Sequence, residues 1–500
     1  PGARCDVESM DYSYSFSPEL EQEWTWTEKY ASQEEILRYI NYVADRFDLR
    51  PDIQLNTTVT AAHYDEESKT WRLSTSTGET FVARYCIFAT GCLSAPLDPP
   101  FKGLDRFEGE WYQTQKWPHR KVEFRWKRVG VIGTGSSGVQ IIPVIAEEAE
   151  HLYVFQRTPN FSVPGRNRPL TPEEIAERKA TYREYRELQR NSPSGIPLHV
   201  NEKSALEMTP EERQAEMERR WAYGGAPVFN VSFRDVMTCK ESNDIVAEFV
   251  RQKIREKVRD PKLAEELCPY DHPIAAKRLC VDHGYFETFN RDNVTLVNVR
   301  RSPIKEITPK GLLLEDGSHY ELDMIVFAIG YDAVSGALLR MDIRGKVGRS
   351  LRDEWANGPR SYLGLGMHGF PNLFTITGPG SPALLAVMIV AIEQHVEWID
   401  DCIAYMREHG YTTIEATREA QDEWMRHVEE LFAASVYPLA KNSYYLGANV
   451  PGKPRTFPLY AGGQKAYRDK CAEIAAAGYT GFVFDDDVVP SERTALARSA

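Results

Sequence analysis

After Ser32, apolar side chains recur every three or four positions, at Ile36, Ile40, Val43 and Phe47. That period predicts a helix from Ser32 to about Phe47. Ser32 with Glu35 three residues later forms a capping-box signature at its start. Alternating apolar and polar positions then predict strands over residues 57–64, 70–75 and 79–88. Asp65-Glu66-Glu67-Ser68 and Thr77-Gly78 read as the turns between them. The last strand runs into Ala89-Thr90-Gly91.

A strand–turn–helix–strand unit follows. Residues 128–132 are an apolar strand, Gly133-Thr134-Gly135-Ser136-Ser137-Gly138 is the turn, residues 139–149 read as a helix, and residues 151–156 as a second strand. Between residues 170 and 270 the pattern becomes helical and charged, with helices predicted over 170–190, 209–223 and 242–259. Thr171-Pro172-Glu173-Glu174 and Thr209-Pro210-Glu211-Glu212 are helix starts with proline in the first turn. Strands return over 294–297, 304–308 and 324–328, and a long helix is predicted over 384–407. This order predicts an α/β architecture with parallel sheets and a helical segment spliced into the second one.

Length and composition narrow the reading. At 500 residues, and about 150 per domain, two or three domains are expected. Apolar content of 42% and charged content of 27% are ordinary for a globular chain. A formal charge of −13 argues against a nucleic-acid partner, which needs a basic surface. The eight cysteines are scattered without a CxxC pair, so reduced thiols in a cytoplasmic protein, with no metal site, are expected. The longest strongly apolar run, residues 384–392, is far short of the roughly 18 residues of a membrane span. Nothing in the sequence indicates an oligomeric state.

The first chemistry lies in Gly133-x-Gly135-x-x-Gly138, which follows a predicted strand and opens a predicted helix, as a dinucleotide fingerprint requires. Gly133 permits the turn, Gly135 admits a pyrophosphate to the backbone, and Gly138 lets the helix pack on the sheet. Thr134, Ser136 and Ser137 fill the turn, and Gln140 lies on the helix behind it. An NAD site usually carries an acid at the end of the next strand. Here that strand ends Phe155-Gln156-Arg157-Thr158, and the Arg157 fork suits a 2′-phosphate, so NADP(H) is expected. Gly2 and Gly78 are the glycines of the first 85 residues, so no second fingerprint lies upstream.

Phe107-x-Gly109-x-x-x-Gln113-x-x-x-Trp117-Pro118 resembles the type I Baeyer–Villiger monooxygenase fingerprint, with Gln113 where the family has histidine. Similar wording occurs at Gly2-Ala3-Arg4-Cys5-Asp6, through the glycine turn to Gln140, and at Ala276-Lys277-Arg278. It recurs at Gly378-Pro379-Gly380-Ser381-Pro382 and Gly447-Ala448-Asn449-Val450-Pro451-Gly452. The resemblance spans essentially the whole chain and is nearest the phenylacetone and steroid monooxygenase branch. It implies two Rossmann-like dinucleotide-binding domains, for FAD and NADPH, with the helical insert in the second. The implied division is 1–91 partial FAD domain, 92–169 NADPH domain, 170–270 insert, 271–330 NADPH domain resumed, and 331–500 FAD domain resumed. The chain starts without methionine, and the family's opening flavin strand with its glycine motif lies upstream of the Pro1 position. Roughly 60 residues, about one βαβ crossover with its turns, are therefore expected to be missing.

The same resemblance implies an enzyme that uses FAD, NADPH and O2 to insert oxygen beside a ketone carbonyl. Arg278 matches the catalytic arginine, Asp6 the acid that positions it, and Lys277 a residue near the NADP phosphate. Cofactor contacts are implied at Arg4, Cys5, Asp6, Tyr12, Val59, Gln140, Thr158 and Met388. Tyr444 stands where relatives usually carry tryptophan near substrate and nicotinamide, Ile329 where a second Ala-Thr-Gly-like motif has threonine, and Val387 where asparagine is common. Developing negative charge calls for a fixed cation in a dry pocket, and arginine keeps its charge when buried. Gln113 cannot titrate, so reduced or altered activity, not a different reaction class, is expected from it. Two other readings stay open: a flavin monooxygenase of sulfides or amines, and a non-catalytic NADP-binding remnant.

Overall fold

The structure is a computed structural model that describes residues 1–485. Its centre is a five-stranded parallel sheet. In spatial order the strands are Val294–Asn298, His151–Gln156, Arg128–Ile132, Met324–Phe327 and Glu110–Gln113. The inner strands are buried on both faces, and Met324–Phe327 is buried at every position. Continuous apolar runs are what a doubly covered parallel strand demands. Strand Arg128–Ile132 passes through the glycine turn into helix Ser136–Glu148 and returns as His151–Gln156. The expected helix start at 139 moves forward to Ser136, because the turn's serines already adopt helical geometry.

A second group of strands lies elsewhere. Asp342–Arg344, Val59–Asp65, Thr70–Thr75 and Thr80–Ala83 form one sheet in that order. The single strand expected over 79–88 is two. Thr80–Ala83 stays antiparallel to Thr70–Thr75, while Cys86–Phe88 pairs in parallel with Leu373–Thr375. Cys86 N–H donates to Asn372 O at 2.9 Å, which commits the chain to the new partner after Tyr85.

Of the helices, Gln33–Arg46 follows the predicted span. Ser32 Oγ accepts the Glu35 N–H, but the box does not close. The Glu35 carboxylate instead accepts Thr27 N–H and Thr27 Oγ–H, both at 2.9 Å, and ties down the preceding loop. In the charged stretch, Pro172–Arg190 and Pro210–Tyr223 begin with complete capping boxes on Thr171 and Thr209. Pro172–Arg190 leans on the chain's first segment. Arg186 Nε donates to Glu21 at 2.7 Å, and Tyr185 Oη donates to Asp11 at 2.5 Å. Lys240–Lys257 buries Val246, Val250 and Ile254 in the same cluster as the parallel sheet.

The long helix expected over 384–407 begins later, at Met388, and runs to His409. Ala383–Leu385 is one 3-10 turn, and Ala386 is extended at φ −126° and ψ 174°. In a continuous helix Leu384 O would accept the Met388 N–H. Here it accepts from Arg278 instead, at 2.9 Å. No helix among the described residues is long and apolar enough to cross a membrane.

Candidate functional site

The three glycines of the turn differ in what surrounds them. A Cβ on Gly133, whose φ is +111°, would lie 2.3 Å from Ala328 O. A Cβ on Gly138 would lie 2.2 Å from Gly133 O, so both positions are closed by the protein's own backbone. Gly135 has nothing within 4 Å of its ideal Cβ and is exposed. The open position is thus the one where a pyrophosphate would approach. Behind it the helix offers uncapped first-turn N–H groups, the usual means of holding a phosphate. Thr134 Oγ donates to Thr158 O at 2.9 Å and fixes the turn against the second strand. Ser136 Oγ lies 3.3 Å from Cys280 Sγ, and Ser137 is half-buried beside it. Gln140, expected at the cofactor, donates its amide to Arg4 O at 3.0 Å and ties the chain's first segment to this helix.

Beyond the second strand, Arg157 is exposed and faces a cavity of about 790 Å³ lined also by Gln156, Asp271, Asn298 and Arg300. Lys277 lies close by. Burial lowers its pKa, and the charges of Arg157 and Arg300 lower it further against the pull of Asp271. Arg300 was not singled out from the sequence. The signal was there, since parallel pairing sets Asn298 beside Gln156, and the residues following each strand must then be neighbours.

Arg278 and Asp6, separated by 272 positions in the chain, form a two-pronged ion pair. Nε and Nη2 donate to the two carboxylate oxygens, each at 2.7 Å, and Nη1 donates to Leu384 O. The two side chains keep 31% and 28% of their surface open. The Asp6 charge, outweighing burial, raises the Arg278 pKa well above its usual value. Burial disfavours the Asp6 carboxylate, yet the arginine's charge and hydrogen bonds hold its pKa below the usual range. Both groups are therefore ionised at neutral pH.

Arg278, with Lys277 beside it, lines a small cavity of about 70 Å³ together with Val7, Ile196, Leu384, Tyr437 and Tyr445. Tyr444 packs on Tyr445 with ring centroids 4.6 Å apart. Tyr437, Tyr445 and the Leu384 carbonyl were missed by sequence reading. No local pattern marks them; only the tertiary path of residues 383–387 brings them in. Cys5 is buried, and burial raises its thiol pKa. Tyr12 packs against Cys5, Val7 and Val387, with its phenol pushed up to about 12 by burial. Met388 opens its 22-residue helix beside the cavity's Leu384–Val387 wall, and Val387 supplies no side-chain cap. The first-turn N–H groups therefore have no side-chain cap. Arg4 turns elsewhere, donating to Glu28 at 2.6 Å and to Tyr30 O. Val59 opens its strand opposite Thr75, at a bulge.

The fingerprint residues hold the edge of the parallel sheet. Phe107 packs beside the antiparallel strands around Ile307 and Leu312. A Cβ on Gly109 would strike Asp323 O at 2.5 Å and the Phe107 ring at 2.6 Å. Gln113, 3% exposed, donates its amide to Leu97 O at 2.9 Å. Leu97 N–H in turn donates to Gly330 O, as does the Gln115 amide. Gln113 thereby pins the segment that enters the parallel-sheet domain. Trp117, followed by Pro118, packs between Tyr112 and Phe124.

With this geometry in hand, comparison with known proteins is specific. A family model described as pyridine nucleotide-disulphide oxidoreductase matches residues 7–214. A Baeyer–Villiger monooxygenase of Pseudooceanicola batsensis is 42% identical over 486 residues, covering 97% of this chain and 88% of that protein. Among solved structures, oxidized steroid monooxygenase bound to NADP has a TM-score of 0.92 at 51% identity, covering 97% of this chain and 91% of that one. An OTEMO complex with FAD and NADP has a TM-score of 0.93 at 40% identity, with coverages of 97% and 91%. With such identity over nearly its whole length, the chain belongs to the Baeyer–Villiger monooxygenase family.

Proposed function

We propose that the protein is an FAD- and NADPH-dependent monooxygenase that inserts one atom of O2 beside a ketone carbonyl, giving an ester or lactone and water. The observation that carries this reading is the Arg278 guanidinium, gripped on two sides by Asp6 and open to the cavity between segments. Addition to a ketone puts negative charge on the carbonyl oxygen. A cation already oriented stabilises that charge without reorganising as it forms.

The residues present fit the nicotinamide nucleotide and the ring end of the flavin. Gly135 leaves room for the nicotinamide nucleotide's pyrophosphate, and Arg157 with Lys277 offers cations to its 2′-phosphate. Tyr12, Cys5, Asp6 and Met388 converge where the uncapped helix begins, and would hold the flavin ring there. Val59 and Arg4 belong to the flavin contacts by family likeness. Bound FAD supplies the oxygen-activating chemistry and NADPH the reducing equivalents.

The chain's own contribution is positional. Asp6 stays ionised and fixes the arginine's plane, and Leu384 O takes the remaining prong. Val7, Ile196 and Leu384 line the cavity with apolar surface that excludes water and so strengthens the arginine's field. Lys277 and Arg278 are consecutive, so one turn of chain serves both the nucleotide phosphate and the reacting carbonyl.

The test is to assay FAD-loaded protein with NADPH and O2 on a cyclic ketone and on a thioether, with and without Arg278→Met. Ketone turnover should vanish in the variant, with thioether oxidation retained in part. A wild type that oxidises the thioether and leaves the ketone untouched overturns the proposal in favour of a sulfide- or amine-oxidising enzyme.

A further inference from the structure

We propose that His395 and Tyr467 are positioning residues for oxygen insertion, holding in place the strained loop that carries the Leu384 carbonyl to Arg278. This rests on the ketone reading above and extends it to two side chains that do not line the Arg278 cavity. Leu363, Thr377 and Ala383 have left-handed backbone, at φ +61°, +51° and +43°. Residues with a Cβ disfavour that conformation, which persists only where the surroundings hold it. His395 and Tyr467 hold two of the three. His395 is fully buried on the helix Met388–His409. Its Nδ1 accepts the Thr377 N–H at 2.9 Å, so the ring proton lies on Nε2. Burial keeps the ring neutral, with its pKa lowered to about 3. Nε2 then donates to Tyr467 Oη at 2.8 Å, and Tyr467 Oη donates to Leu363 O. One imidazole and one phenol thus join two left-handed residues through a chain in which every donor has an acceptor.

The two turns are packed backbone on backbone. A Cβ on Gly378 would lie 2.5 Å from Gly364 O, and one on Gly364 would lie 2.9 Å from Gly378 O. Thr375 Oγ1 donates to Gly364 O at 2.8 Å, and Ser361 Oγ donates to Pro379 O. Every residue from Gly369 to Leu384 is buried, so a shift at Thr377 is carried along the loop. The loop ends at Ala383, one position before the carbonyl that accepts from Arg278 Nη1 at 2.9 Å. A displaced Leu384 O frees that prong and lets the guanidinium turn about its bonds to Asp6. Misplacement by about 1 Å from a change far from the chemistry can cost about a hundred-fold in rate. Here Trp424 Nε1 and the Tyr460 N–H pin the middle of the loop separately, at Gly380 O and Ser381 O, so the displacement is partial.

The experiment measures ketone turnover by the FAD-loaded full chain against two reference rates, thioether oxidation and NADPH oxidation without substrate. Neither reference puts charge on a carbonyl oxygen. His395→Leu should lower ketone kcat about ten-fold, with both reference rates and the KM for NADPH within about two-fold of wild type. His395→Asn, whose amide oxygen accepts the Thr377 N–H in place of Nδ1, should recover ketone kcat to within about three-fold of wild type. Tyr467→Phe keeps the ring and removes the link to Leu363; it should lower ketone kcat about three-fold, and it carries the test if His395→Leu does not fold. Ketone and reference rates that fall together, ketone turnover that does not change, or no recovery in His395→Asn overturns the proposal. A wild type that oxidises the thioether and leaves the ketone untouched overturns instead the ketone reading on which it rests.

Discussion

Replacing Arg278 with lysine keeps the positive charge and removes the fork, so it isolates what geometry contributes. The arginine makes three hydrogen bonds, two to Asp6 and one to Leu384 O. An ammonium on a flexible stem satisfies one of those acceptors in a single orientation. Each hydrogen bond involving a charged group contributes about 1.5–3 kcal/mol when buried. The pair keeps 31% and 28% of its surface open, so solvent screens part of this. About 2 kcal/mol is therefore lost for the two missing bonds together. If that loss falls on positioning of the charge, kcat/KM for the ketone drops about 30-fold. Steady-state turnover of a cyclic ketone by FAD-loaded Arg278→Lys, run beside thermal melting, measures it. The fall should lie in kcat, with the KM for NADPH little changed and the melting temperature lowered by a few degrees. Ketone kcat/KM within two-fold of wild type would refute the reasoning, because the charge alone would then suffice.

Other consequences follow from particular contacts. Gly135→Ala should fold normally and lose NADPH affinity, since its Cβ meets only open space, whereas Gly138→Ala should lower the melting temperature through its 2.2 Å clash with Gly133 O. Nucleotide titration and melting curves separate the two. Gln113→His should raise turnover if a ring N–H takes over the bond to Leu97 O, while Gln113→Leu should cost about 1–3 kcal/mol of stability by orphaning that carbonyl. His395, fully buried, accepts Thr377 N–H at Nδ1, lies 2.8 Å from Tyr467 Oη through Nε2, and is pushed down by burial to about 3 from 6.5. The unfolded chain binds the extra proton between those values, so stability is full above the unfolded pKa and declines as pH falls below it. Denaturant melts should show a loss of up to about 2 kcal/mol between pH 6.5 and 5 that His395→Gln removes; an unchanged slope in the variant would exclude His395 as its source.

Much of the parallel sheet was legible because its signals are local. Strand Arg128–Ile132, the glycine spacing and strand His151–Gln156 occur where period and turn chemistry put them. The capping boxes at Thr171 and Thr209 formed for the same reason, as all their partners lie within three residues. Glu35 shows the limit: the local signature was present, but Thr27 competed for its carboxylate and won. The helix expected from residue 384 failed in the same way. Its apolar run is continuous, and a tertiary donor, Arg278, took the carbonyl that would have continued the helix.

The candidate site was legible only in part. The resemblance named Asp6 and Arg278, and the structure brings them together across 272 residues. No periodicity could have paired them. Tyr445, Tyr437 and Arg300 carry no motif of their own and enter through neighbouring segments. Arg300 was the recoverable case, because strand register carries it to Arg157 once the two strands are known to be parallel neighbours. Gln140 and Arg4 show the converse, with side chains engaged in tying segments together.

The central claim is that a guanidinium held by Asp6 directs oxygen insertion at a ketone. Isotope labelling tests it most directly: FAD-loaded protein, NADPH and a cyclic ketone are incubated under ¹⁸O₂, and the lactone is weighed by mass spectrometry. The account predicts a lactone carrying one heavy oxygen from wild type and none from Arg278→Met at matched folding and flavin content. Equal labelled lactone from both proteins, or none from wild type, would contradict it.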